Sequence, residues 1–204
     1  AEVRFVARFG PRTAPSANRE PPSGIRKTGI DEVDDVFDEI DEIRIDLREM
    51  TAALSDARRA VTRAAGSDAD FERVVQLLGE GRLDGIVSVQ FLEGRLAVRP
   101  KRGLRGRKAE LASSLTRLGD TYADVARRAS AIPDRLKSTR KAAIKLQRKL
   151  PSLARDSGLT GAELPHTAQV FSDNLRIAAT IPRDTRDLVR EARVVGSALS
   201  NAVL

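Results

Sequence analysis

Glu163-Leu-Pro-His166 is the one stretch whose residue types and spacing match a known metal chemistry. A Glu-x-x-His pair places a carboxylate and an imidazole on one helix face, as in di-iron bundles. Such centres take two of these motifs and further carboxylates from facing helices. This chain has a single motif and a single histidine, with Pro165 inside the motif at an expected helix start. The reading is therefore a solvent-facing His166, and no metal or cofactor is expected. A Ser-His-Asp triad would have to run through the same histidine. The absence of cysteine excludes thiolate ligands, cysteine nucleophiles and disulfides, and leaves the redox compartment open.

Asp34, Asp35, Asp38, Glu39, Asp41 and Glu42 could attract divalent cations, but they lack the glycine turn and loop spacing of a calcium site. They read as a solvated, partner-facing acidic stripe. Gly103 and Gly106 are too sparse for a phosphate-cradling loop. Nothing names a reaction, so neither an enzyme nor a small-molecule substrate is expected.

Charge offers two further candidates. Lys101, Arg102, Arg105, Arg107 and Lys108 form a basic run with three readings: a solvated connection that neutralises a helix end, contact with anionic lipid, or contact with nucleic acid. No aromatic residue interleaves the run, which makes nucleic acid the least favoured of the three. The last eleven residues carry no charge, and Val194, Val195, Leu199, Val203 and Leu204 make that end an expected partner interface, with Gly196 and Ser200 as a small, close-packing face.

These candidates must be carried by long helices. Leu111, Leu115, Leu118, Tyr122, Val125, Ala129, Ile132, Leu136, Thr139, Ala143, Leu146, Leu150 and Leu153 step alternately by four and three. Such a repeat keeps one apolar seam turned toward a partner helix. Val33, Val36, Ile40, Ile43, Leu47, Met50, Leu54, Ala57, Val61 and Ala64 do the same in a first helix, and Phe171 to Ala202 do so in a third. Only 3% of residues are aromatic while 32% are charged, which suits an elongated bundle better than a compact globule.

The expected fold is mainly α: an elongated antiparallel bundle of three long heptad-patterned helices with a small β cap. Residues 1–29 comprise a strand (Val3, Phe5, Ala7 and Phe9 on one face) and a proline-rich linker; residues 30–204 form one domain. Within it the spacing predicts helix 1 over about 30–65, a short helix over about 68–78 capped by Ser67, and a hairpin over about 86–99 turning at Glu93-Gly94. Helix 2 follows over about 107–150, then helix 3 over about 164–202. Thr28 and Asp31 read as a capping pair for helix 1. The N-terminal strand could join the hairpin as a third strand.

Pro133 and Pro182 fall inside helices 2 and 3, and the midpoint of their numbers lies between Ser157 and Gly158, within the expected turn. Folded back, the two prolines share one level. They mark either matched bends or breaks that begin new helices.

Net charge is +7, but it is divided. Ile30–Asp56 holds 11 acids against 2 bases; Arg99–Arg155 holds 17 bases against 4 acids. On neighbouring helices these blocks can satisfy one another, and most of the basic block is read that way. The partner is expected to be another protein or a second copy of the chain, with an anionic membrane surface as the alternative. No uncharged run reaches the roughly 18 residues that span a bilayer. The start at Ala1 fits a processed, exported or cell-envelope protein, with a cytoplasmic one as the alternative.

Overall fold

A computed structural model describes residues 24–66, 70–92 and 95–203. Among them the chain is mainly helical, with one two-stranded antiparallel hairpin. The order is α1 (Asp31–Ala65), α2 (Phe71–Gly79), β1 (Val87–Leu92), β2 (Arg95–Pro100), α3 (Arg107–Asp156), α4 (Leu164–Ala178) and α5 (Ile181–Ser200). The N-terminal strand, the linker up to Ser23, the Ser67 cap, the Glu93-Gly94 turn and Leu204 lie outside the described residues.

α1 begins at Asp31, but its start is not tied by Asp31. The carboxylate of the buried Asp34 accepts from the Thr28 amide (2.7 Å), the Thr28 hydroxyl (2.8 Å) and the Gly29 amide (3.3 Å). The expected Thr28–Asp31 pairing is thus corrected to Asp34, one turn further in. The buried apolar series of α1 follows the spacing from Val33 to Val61, except that Phe37 replaces Val36; Ala64, expected at its end, is half-buried, and the polar Asp34 joins the buried residues. Both steps fit between Val33 and Ile40, and the larger apolar group takes the interior. Phe37 meets Phe171 of α4 edge to face, with ring centroids 5.1 Å apart and planes at 79°.

α1 packs along α3. Arg128 of α3 pairs with Asp46 and Glu49, and Arg135, two turns further on, pairs with Glu39, Glu42 and Asp46. The partners move backward along α1 as the chain moves forward along α3. Desolvation works against the charge of Arg135, but hydrogen bonds to Glu39 and Asp46 outweigh it and raise the pKa of the guanidinium. The two arginines are about one-third exposed and their carboxylates one-third to two-thirds, so each pair contributes at most about 1 kcal/mol and these contacts select register more than they stabilise. The acidic segment is accordingly engaged in large part: Asp34 holds Thr28 and Gly29, Asp38 takes Lys27, Asp41 takes Arg44, and Glu39 and Glu42 take Arg135, while Asp35 is exposed.

α2 is capped by Asp70, whose side chain accepts from the Arg73 amide at 2.7 Å. It buries Phe71, Val74 and Leu78. The hairpin pairs Val87 with Pro100 through Leu92 with Arg95, and turns Val87, Val89, Leu96 and Val98 inward. β2 lies against α3 at Gly119, where a side chain would collide with Val98. On its other edge β1 meets Val203 in a single parallel bridge.

α3 is longer than the spacing predicts. The turn expected at Pro151 begins only after Asp156, and Pro151 is accommodated inside the helix. Gln147 and Pro151 are both exposed, so the carbonyl deprived of its partner by the proline meets water. Burial of Leu150 and Ala154 holds this last stretch in place. The third row differs in the opposite sense, because the single helix expected there is two. α4 ends at Ala178 and α5 starts at Ile181, with Pro182 in its first turn. Of the two readings of Pro182, the break is the one found. Proline has no amide to offer and clashes with the carbonyl four residues back, whereas the first turn of a helix tolerates it. Pro133 instead lies within the continuous α3.

α4 is held to the chain ahead of α1 by Asn174, which is fully buried. Its side chain accepts from the Arg26 amide (3.0 Å) and donates to the Arg26 carbonyl (2.7 Å).

Candidate functional site

Glu163 and His166 do not come together as a ligand pair. The Glu163 carboxylate accepts from both the amide and the hydroxyl of Thr160 at 2.8 Å, and the backbone hydrogen bond, followed by the hydroxyl, lowers its pKa. Thr160 and Glu163 thereby close the turn that leads into α4. His166 is exposed one turn on. Among the described residues no group of three or more His, Asp and Glu side chains is placed to hold a metal ion.

At the uncharged C-terminal end, Val195 and Leu199 are fully buried in the chain's own core. Gly196 sits against Tyr122, and Val203 is half-buried at its bridge to Val89. Of the residues expected to meet a partner there, Val194 is exposed, at 51%; Leu204 lies outside the described residues.

Lys101, Arg102, Arg105, Arg107 and Lys108 are all exposed. They occupy the loop from β2 and the first turn of α3. This is the positive end of the helix dipole, so they add to its charge instead of neutralising it. Among the described residues none of the five has a carboxylate within ion-pair distance.

A second cationic feature lies between α3 and α5, in an open groove of about 910 Å³. Lys137, Arg140, Lys141, Lys145 and Arg148 of α3 and Arg186 of α5 line it, and among the described residues no acidic one does. Its floor is apolar: Ile132, Pro133, Leu136, Ile144 and Pro182. Ile132 is 2% exposed and Leu136 6%, whereas Ile144 rises to 46%. Pro133 and Pro182 both line this groove. Among the described residues none of the six cations has a carboxylate partner. The Arg186 Nε donates to the Pro182 carbonyl at 3.2 Å, which holds that side chain at the rim.

The expectation that the basic block of helix 2 is spent on helix 1 therefore holds for Arg128 and Arg135 alone. Residues 137–148 turn elsewhere. A signal for this was present: the sequence from Arg135 to Arg155 has eight bases and no acid, and Lys137, Arg140, Lys141, Ile144 and Arg148 recur at three- and four-residue steps. That is one helix face, distinct from the buried series.

No protein-family model, curated protein or solved structure matches the chain.

Proposed function

We propose that the chain is a non-enzymatic structural or adaptor protein that binds other proteins. In this reading α1, α3 and the α4–α5 row form an elongated antiparallel bundle of three heptad-patterned rows, with the hairpin as a cap. The observation that carries it is the α3/α5 groove. Six cations stand around an apolar floor without a carboxylate among them, a surface that another molecule must complete. The seams that first pointed to a partner are turned inward on the chain's own helices, and Val195 and Leu199 belong to that interior. Recognition then falls to the groove, with Val194 as a lesser contact.

A second reading rests on the exposed cations from Lys101 to Lys108, which suit an anionic membrane surface. The exposed apolar residues of the hairpin, Phe91 and Leu92, do not join them. Lys101 follows the closed rung Val87–Pro100, and Leu92 stands five rungs away, about 17 Å along the strands. Among the described residues no helix is long and apolar enough to cross a membrane.

Co-sedimentation with vesicles separates the two readings. At roughly 0.15 M salt the chain is expected to stay in the supernatant with neutral and with anionic vesicles. Pelleting with anionic vesicles that disappears when Lys101, Arg102, Arg105, Arg107 and Lys108 are all changed to Ala would replace the adaptor reading by the membrane one.

A further inference from the structure

We infer that the α3/α5 groove is the docking site for an acidic amphipathic helix of a separate protein; this rests on the protein-binding reading above and names the partner's chemistry. The first argument is charge. Among the described residues the groove presents six cations and no acid, so its occupant must bring several carboxylates. A single anionic amphiphile brings one or two charges and would leave most of the rim unpaired. The second argument is the floor. Phosphates of a nucleic acid gain nothing from Ile132, Pro133, Leu136 and Ile144, and a flat bilayer would meet the cations before it reached Ile132 or Leu136. A helix with one apolar stripe between acidic flanks satisfies both floor and rim.

The third argument is length. From Lys137 to Arg148 the rise along α3 is about 16 Å, or three turns. A partner helix of about twelve residues covers that span and offers apolar anchors at i, i+3 or i+4, and i+7. Ile144, half out of the floor, is placed to pack between two such anchors, with Lys141 and Lys145 beside it for flanking carboxylates. The chain itself does not supply the occupant. In α1, Asp38, Glu39, Glu42, Asp46 and Glu49 are paired with Lys27, Arg128 and Arg135, and residues 1–23 hold two acids against four arginines.

The test is a titration of the isotope-labelled chain followed by amide NMR shifts, with four probes. These are a designed peptide of about 14 residues, Leu at three- and four-residue steps and Glu between, its scrambled isomer, anionic vesicles, and a short DNA duplex. The designed peptide is expected to shift amides of residues 132–148 and 181–190 and to saturate, and the scrambled isomer to bind at least tenfold more weakly. The Lys141→Glu, Lys145→Glu double variant should weaken the peptide by tenfold or more, and Ile144→Ala by about fivefold, with unchanged melting and helix content. Equal binding of both peptides would overturn the proposal, leaving only bulk charge attraction. So would a failure of the peptide to shift these residues. Peptide shifts confined to another surface would overturn the groove's role and keep the protein-binding reading. Groove shifts produced by vesicles or duplex alone would overturn both.

Discussion

Phe37→Ala is expected to cost about 3–5 kcal/mol, the range for removing a buried aromatic ring, and to lower the melting temperature by roughly 10 °C for a chain of this size. Phe37 is 1% exposed and Phe171 2%. Their edge-to-face contact joins α1 to α4, which is otherwise held there by the Arg26–Asn174 clasp and the Arg26–Asp173 ion pair. Few other aromatic rings are available to fill the space, since the chain has six Phe and one Tyr. Phe37→Leu keeps most of the volume and forfeits chiefly the ring contact, about 0.5–1.5 kcal/mol. The Val36→Ala variant, at the half-buried neighbour, is the control and should cost much less. Thermal melting of the three variants checks the assignment; equal losses for Phe37→Ala and Val36→Ala would contradict the burial of Phe37.

Gly119→Val is expected to destabilise by about 3 kcal/mol, at the top of the usual range for overpacking. A Cβ at Gly119 would lie 2.7 Å from the Val98 Cγ2 and 3.1 Å from its Cβ. Val98 is buried and β-branched, so it has no free rotamer in which to retreat. Gly119→Ala carries the more telling sign. In an exposed helix this change stabilises by about 1 kcal/mol, whereas here it is expected to destabilise. Truncating Val98 to Ala should relieve the collision, so the Gly119→Ala, Val98→Ala double variant loses less than the sum of the two single losses. Chemical denaturation of the four proteins measures this. A stabilising Gly119→Ala would mean that α3 stands further from β2. Gly196 is a milder case, because the Tyr122 side chain it faces is partly exposed and can swing aside.

Much of the helical interior was legible in the spacing. From Leu111 to Ala143 the buried residues of α3 are the expected ones, apart from the half-buried Tyr122 and with Ala112 and Gly119 added where the hairpin leans on the helix. Toward the end the buried position moves from Leu153 to Ala154, the drift that a straight helix shows against a seven-residue repeat. What spacing could not convey was context. Nothing local marks Asn174 as buried, because its partners are the backbone groups of Arg26, 148 residues away. Pro151 and Pro182 are the same residue type at helical spacing, yet one is absorbed and the other begins a new helix. The difference lies in what surrounds the carbonyl that each leaves unpaired.

The candidate site was only half legible. Its cations on α3 were counted in the sequence, but net charge by block assigned most of that block to the facing acidic helix; Arg186 lay outside it. The angle around α3, and for Arg148 the distance along it past the start of α1, separate Arg128 and Arg135, which face α1, from the bases between Lys137 and Arg148, which do not. The steps of three and four that revealed the apolar seam held this information as well, applied to the charged residues. The bonds from Thr160 to Glu163, which close the turn before α4, account for the carboxylate of a motif first weighed for metal.

The account's central claim is that the apolar seams close within one chain and leave the groove free for a different protein. Mass in solution tests it most directly, by light scattering on a sizing column at near-physiological salt. The account predicts a particle of one chain, 22.2 kDa, for the wild type and for the Lys141→Glu, Lys145→Glu variant alike. A defined multiple for the wild type that falls to a single chain in the variant would contradict it, because the groove would then be a contact between copies of the chain.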